Sequence, residues 1–355
     1  MTKSQDLLFE LLLISTGAKD TLSRAYSDKQ WEGALDLACE QAIEGVLASA
    51  IERIQDKALL PSKPVLLQWI GNGQLVEQNT QKITEAGEAV VGHFREHGFA
   101  CQILKGSAVG RYYPEPLRRS SGDVDVWVDG GRKRIYDYAR AFDKEGRLYG
   151  VNYHHIHFHL LEGVHVEVHI WPSYLSSPLR NWRLHQFCEL HRPSFDGVMP
   201  SLAFDRVFIL LHCYRHMCGH GVGLRQIMDY FYVLRQGFTD KERAESVLWI
   251  KRLGMRRFAA GVMWVLVTYF GLESRFLLLA PDEKEGRFIM QEALMTGNMG
   301  HSDTRNWGSV KTPLSRFFFN LRRDVYLAGH YPHEAVWQPV FSVWLYAWRL
   351  GKGLI

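Results

Sequence analysis

The sequence predicts an α+β protein in which a small mixed β-sheet lies between an N-terminal helical segment and a larger C-terminal helical region. Three observations predict it. Apolar residues recur at helical spacing up to about residue 95, short alternating runs follow between Phe99 and Trp171, and helical spacing returns after Pro172. Alternating runs of this length, mixed with one helix-length stretch, read as a small sheet with a covering helix. Boundaries near 96 and 200 divide the chain into 1–95, 96–200 and 201–355.

The elements follow in order. Trp31, Ala34, Leu35, Leu37 and Ala38, then Ile43, Val46, Leu47 and Ile51, mark helical stripes. Pro61 and Pro64 interrupt them, and a long helix from Pro64 to about His97 carries Val65, Leu66, Trp69, Ile83, Val90, Val91 and Phe94. Phe99 to Leu104 is a strand, and Lys105-Gly106-Ser107 opens a short helix that ends near Tyr113-Pro114. Asp123 to Val128 is the second strand. Asp129 is the expected N-cap of a helix over about Gly131 to Lys144. Tyr153 to Leu161 and Val164 to Trp171 read as two strands around Glu162-Gly163. Ser201 starts a helix over Leu202 to about Cys218, closed by glycines, and Leu224 to Leu234 forms the next. From Lys241 the chain is mostly helical and rich in aromatics (Trp249, Trp264, Trp307, Trp337, Trp344, Trp348).

Composition excludes several classes. The apolar fraction is 46% and the charged fraction 23%, values of an ordinary globular chain. A net charge of +4 suits an anionic substrate but is too small to argue for nucleic acid alone. The leading apolar run contains Asp6 and Glu10, so it reads as an amphipathic helix and not a signal peptide. Its longest apolar stretch, Phe258 to Leu272, is too short to span a bilayer, so no membrane is expected. Five scattered cysteines read as reduced thiols in a cytoplasmic protein.

Chemistry concentrates between Ile103 and Val128. Asp123 and Asp125 are two apart in a valine-rich strand, so they project from one face while Val124, Val126 and Val128 enter a core. Adjacent carboxylates repel unless a cation lies between them, and Mg²⁺ with a substrate phosphate is the natural one. Gly106 permits close approach of a phosphate, and the helix beginning there presents free N–H groups beside the Ser107 hydroxyl. A two-metal site needs a third carboxylate, and Glu167 in the alternating run His-Val-Glu-Val-His is the best candidate. The reading requires Glu167 to face the aspartates, with no lysine or arginine already salt-bridged between them.

The pattern Leu-Lys-Gly-Ser, Tyr-Tyr-Pro-x-Pro, Arg119-Ser-Ser-Gly-Asp123-Val-Asp125 and Glu167-Val-His169 resembles the uncharacterised bacterial nucleotidyltransferase family of the DNA polymerase β-like superfamily. The resemblance extends over roughly residues 25 to 235 and departs from many superfamily members in having Glu167 where they have aspartate. It implies a nucleotidyltransferase core that moves a nucleoside monophosphate from an NTP to a hydroxyl or phosphate acceptor, releasing pyrophosphate, with Mg²⁺ or Mn²⁺. By carry-over, Asp123, Asp125 and Glu167 are the metal-binding and catalytic residues, Gly106 and Ser107 contact the triphosphate, and Lys105 and Arg119 neutralise its charge. The acceptor is expected to approach past Tyr112, Tyr113 and His169.

Other groups admit two readings. His155, His157 and His159 alternate on one strand face. A two-residue loop at Glu162-Gly163 turns that row away from Glu167; a loop one residue longer sets His159 beside Glu167 and His157 beside His169. The preferred reading is a polar strand face with His169 bonded to a metal-bound carboxylate; the alternative is a zinc or proton-transfer site. His212 and His216 share a helix face, and His216 is a candidate for gripping substrate phosphate. Arg225 and Asp229 read as an ion pair within one helix. The aromatic C-terminal third reads as core, with nucleic-acid binding the less favoured alternative. Two rivals to transfer stand beside it: a catalytically inactive nucleotide-binding regulator, and a phosphohydrolase using the His154–His169 cluster.

Overall fold

The computed structural model describes residues 2–305 and 312–354, so Trp307 lies outside the described residues. Three helices open the chain: α1 (Lys3–Ser15), α2 (Asp28–Gln41) and α3 (Glu44–Glu52). A Thr2–Gln5 capping box starts the first. Next comes α4 (Lys63–Glu96), about 50 Å long at 1.5 Å per residue. The sheet contains β1 (Cys101–Leu104), β2 (Val124–Val128), β3 (His155–His157) and β4 (Val166–His169), with α5 (Gly106–Gly110) and α6 (Gly131–Phe142) between them. The helices α7 (Pro178–Glu189), α8 (Leu202–Cys218), α9 (Leu224–Arg235), α10 (Asp240–Arg252), α11 (Arg256–Phe270), α12 (Glu283–Thr296), α13 (Pro313–Leu327) and α14 (Pro332–Gly351) follow. Among the described residues no helix is long and apolar enough to cross a membrane.

The sheet order is β1-β2-β4-β3, with β2 and β4 parallel and the outer pairs antiparallel, so it is the small mixed sheet the sequence predicts. Period-two alternation separates its faces. Ile103, Val124, Val126, Val128, Ile156, Val166 and Val168 enter one core with Ile83, Val90, Val91 and Phe94 of α4. A Cβ on Gly87 of α4 would stand 3.2 Å from Ile103 Cδ1, which is why a glycine sits where helix and strand approach most closely. The opposite face carries Asp125, Trp127, Glu167 and His169, and Trp127 stacks on Phe204 of α8 at 5.6 Å between ring centroids. The acidic face is therefore the one turned toward the C-terminal helices.

The helices on that side join the N-terminal helices in a second core. Gln41 donates to the Ala293 carbonyl and accepts from the Leu224 amide, and Arg235 donates to the Thr16 carbonyl. Their buried polar ends are thus satisfied across nearly the whole length of the chain.

Several expected boundaries shift. The two histidine-bearing strands are shorter than Tyr153–Leu161 and Val164–Trp171, because β3 pairs with β4 over only three residues. Asp129 does not cap α6: Gly130 is the cap residue, at φ 151°, and Asp129 instead pairs with Arg192 at 2.9 Å. The C-terminal aromatics are not uniformly core. Helices α13 and α14 pack on each other and on the body along one face only, leaving Trp344 at 47% and Phe318 at 51% exposed.

Candidate active site

Register brings the acids together. In the parallel β2–β4 pair, Asp125 lies directly beside Glu167, and Trp127 beside His169. Asp123 precedes β2, on the same side, and shares a close group of donor atoms with His165 and Glu167. Glu167 also groups with Asp125 and His169. Glu167 therefore faces both aspartates and is common to the two groups, though no single close group among the described residues holds all three acids.

The stated requirement on the gap between them is not met. Lys105 Nζ lies 2.7 Å from Asp125 Oδ1. His169 Nε2 lies 2.7 Å from the same oxygen and 3.4 Å from Glu167 Oε2. Burial works against the Lys105 charge, but Asp125, Asp123 and Glu167 together hold its pKa above the ordinary lysine value. Lys105 is thus the cation that balances the acidic cluster. The same residue is strained, with φ 51° and ψ −147°, and Gly106 follows at φ 40°. A Cβ on Gly106 would meet only the Asp123 carbonyl, at 3.9 Å, so the backbone angle rather than crowding requires glycine there. Ser107 stands half-buried in the first turn of α5, a helix of only five residues.

Electrostatics separates the two aspartates. The Asp125 charge, followed by burial, pushes the Asp123 carboxyl above its ordinary pKa, with Lys105 and Arg225 pulling the other way. Burial likewise pushes Asp125 up, but Lys105 and the His169 hydrogen bond outweigh it and hold the carboxylate ionised. Burial opposes the charged form of His169, yet its bonds to Asp125 and Glu167 raise its pKa. His169 Nδ1 is buried without a hydrogen-bond partner among the described residues.

Arg119 is placed otherwise than expected. Its guanidinium is buried and bidentate on Asp229 of α9, with Nε to Oδ1 at 2.9 Å and Nη2 to Oδ2 at 2.6 Å. Tyr113, also buried, donates to Asp229 at 2.7 Å. A buried carboxylate is the stronger local partner for a planar guanidinium, so Arg119 braces the loop before Asp123 rather than facing substrate. Tyr113 is likewise enclosed and does not line an acceptor path. This corrects the Arg225–Asp229 reading too: Arg225 instead donates to the Ser120 carbonyl and to Asn298. Arg225 is the basic residue that sequence reasoning missed, close enough for its charge to act on Asp123.

His212 and His216 meet edge to face at 4.4 Å on α8, turned toward Lys105. Burial, then the Lys105 and Arg225 charges, push the His216 pKa down to about 3. His216 is therefore neutral near neutral pH in the ligand-free chain. On the outer strand, His157 lies opposite Glu167 and His155 opposite His169. The histidine row shares the face of Glu167, as the longer-loop alternative has it, but in a register shifted by two residues.

The Asp205 carboxyl at the start of α8 is held by Arg111 at 2.9 Å and by Tyr112 at 2.8 Å. Burial still raises its pKa from 3.8 to about 6. The folded state then binds more protons than the unfolded state between those values, so this group makes stability fall as pH rises through the window. Asp205→Asn is expected to flatten the dependence of Tm on pH there; an unchanged slope would contradict the assignment.

The family model described as uncharacterised nucleotidyltransferase matches residues 27–271. The chain belongs to this family. The match covers the whole site, from Lys105 to Arg225, and runs past the resemblance read from the sequence into α11, making this chain a nucleotidyltransferase by family. No curated protein and no solved structure matches the chain.

Proposed function

We propose that Asp123, Asp125 and Glu167 form the centre of a metal-dependent nucleotidyl transfer site that moves a nucleoside monophosphate from an NTP to a hydroxyl or phosphate acceptor and releases pyrophosphate. The observation that carries the reading is the side-by-side register of Asp125 and Glu167 on the two central strands, beside Lys105. The donor set fits an oxygen-seeking divalent cation: Glu167 faces both aspartates, and the Asp125 charge raises the pKa of Asp123 despite Lys105 and Arg225. Mg²⁺ or Mn²⁺ held by these carboxylates would neutralise phosphate charge and activate the acceptor oxygen.

The remaining steps belong to the chain's own residues. The open side of Gly106 leaves room for phosphate oxygens to approach the backbone, and Ser107 would donate its hydroxyl to them. Lys105 holds Asp125 in the free chain, against the requirement set from the sequence, so the reading needs it to pass from Asp125 to incoming phosphate when the cation binds; Arg225 adds a second cation from α9. His169 fixes the orientation of Asp125. Such catalysis rests on positioning and charge stabilisation.

The Lys105–Asp125 ion pair favours one second reading, a nucleotide binder without turnover, because it already supplies Asp125 with a cation. Incubation of the purified chain with α-labelled or γ-labelled NTPs, Mg²⁺ and a cell extract separates the two. Transfer predicts label from the α position in a product formed by the wild type and lost in Asp123→Asn. Nucleotide binding without any labelled product would establish the second reading instead.

A further inference from the structure

Glu167 belongs to three of the close donor groups, and one of them points away from the aspartates. The antiparallel register of β3 and β4 places His157 directly opposite Glu167 and His155 two residues along on the same face. His155 Nδ1 lies 3.4 Å from Glu167 Oε2, and His157 Nε2 lies 3.9 Å from Glu167 Oε1. The two imidazole planes are within 15° of parallel, with centroids 5.8 Å apart. The three donor atoms lie within 4.8 Å of one another.

These separations decide between two explanations of the cluster. A direct imidazole–carboxylate hydrogen bond closes to about 2.7–3.2 Å. Ligand atoms on one tetrahedral ion with bonds of about 2.0–2.1 Å stand about 3.3 Å apart. The His155–Glu167 spacing exceeds the first range and matches the second, while the His157–Glu167 spacing is longer than both, so His157 would close in on a bound ion. His157 is a third exposed and borders a groove of about 420 Å³ shared with Phe142, Arg147, Tyr149 and His159, which gives an ion an entry path and an open coordination position.

We propose that His155, His157 and Glu167 form a second cation site on the outer edge of the sheet, selective for a nitrogen-preferring transition ion of the zinc class over Mg²⁺. Two imidazoles and one carboxylate are ligands that suit Zn²⁺ or Co²⁺, whereas Mg²⁺ takes oxygen donors and water. The site stands without the transfer reading but touches it through Glu167, whose carboxylate would lie between the two cations.

The test is a Co²⁺ titration of the full chain followed by its visible d–d absorption, with Zn²⁺ competition and Mg²⁺ as the control ion. The wild type should develop the band, lose it to Zn²⁺ and keep it in excess Mg²⁺. His157→Asn, at a third-exposed edge-strand position, should weaken Co²⁺ binding by at least the roughly 10–100-fold seen for lost outer-shell partners; His155→Asn should do the same, while Asp123→Asn keeps the band. A wild type without the band, or a band unaffected by the His157 change, would overturn the proposal. Failure of the transfer reading is seen separately, as absence of labelled product while the Co²⁺ band persists.

Discussion

Asp123→Asn and Asp125→Asn are expected to lose nucleotidyl transfer by several orders of magnitude each, and to move thermal stability in opposite directions. Asp123 carries a carboxylate that its neighbour disfavours, since the Asp125 charge is the foremost cause of its raised pKa. Removing that charge relieves like-charge repulsion, so the folded chain should keep or gain stability. Asp125 is 3% exposed and accepts from both Lys105 and His169. Its neutral replacement removes the direct partner of the Lys105 ammonium and leaves it only the more distant Asp123 and Glu167, so the folded chain should lose stability, by less than the about 3–5 kcal/mol of a fully buried pair. Calorimetric unfolding of both variants, beside the labelled-NTP assay, checks the pair. Equal destabilisation by the two changes would contradict the division of roles drawn here.

The second large effect is expected at Asp229 of α9, outside the acidic cluster. Asp229→Ala removes the acceptor of Arg119 and Tyr113 at once. Both donors are buried, and an uncompensated guanidinium in the interior should lower stability by about 3–5 kcal/mol. Because Arg119 also donates to the Ser120 carbonyl and to Ser121, the loop leading into Asp123 would loosen as well. Transfer should therefore fall even in the fraction that stays folded. Urea unfolding read by tryptophan fluorescence measures the first effect, and single-turnover transfer the second. A loss below about 1 kcal/mol would mean that the pair is solvated rather than structural.

Much of the sheet was legible because alternation is local. Val124, Val126 and Val128 opposite Asp123 and Asp125, and Val166 and Val168 opposite Glu167, state in sequence which face meets the core. Ser201 and the run from Leu202 to Cys218 likewise fixed α8, whose bounds and Ser201 cap are as expected. What depends on distant partners was not legible. Arg119 and Asp229 are 110 residues apart, and nothing near either shows that they meet. Proximity in sequence instead suggested Arg225 for Asp229, since positions four apart share a helix face. The histidine register failed for a related reason: it depends on how many residues the chain uses to turn after His157, and polar strand faces do not penalise a slip. The Lys105–Asp125 pair was not legible either, because the φ of 51° at Lys105 has no signature in composition.

The most direct test is a crystal structure with Mg²⁺ and a non-hydrolysable NTP analogue. The account predicts a cation about 2.1 Å from oxygens of Asp123, Asp125 and Glu167, with Lys105 moved from Asp125 onto phosphate oxygens and the triphosphate against Gly106 and Ser107. A nucleotide bound elsewhere, with Lys105 still paired to Asp125 and no cation among the three acids, would contradict it.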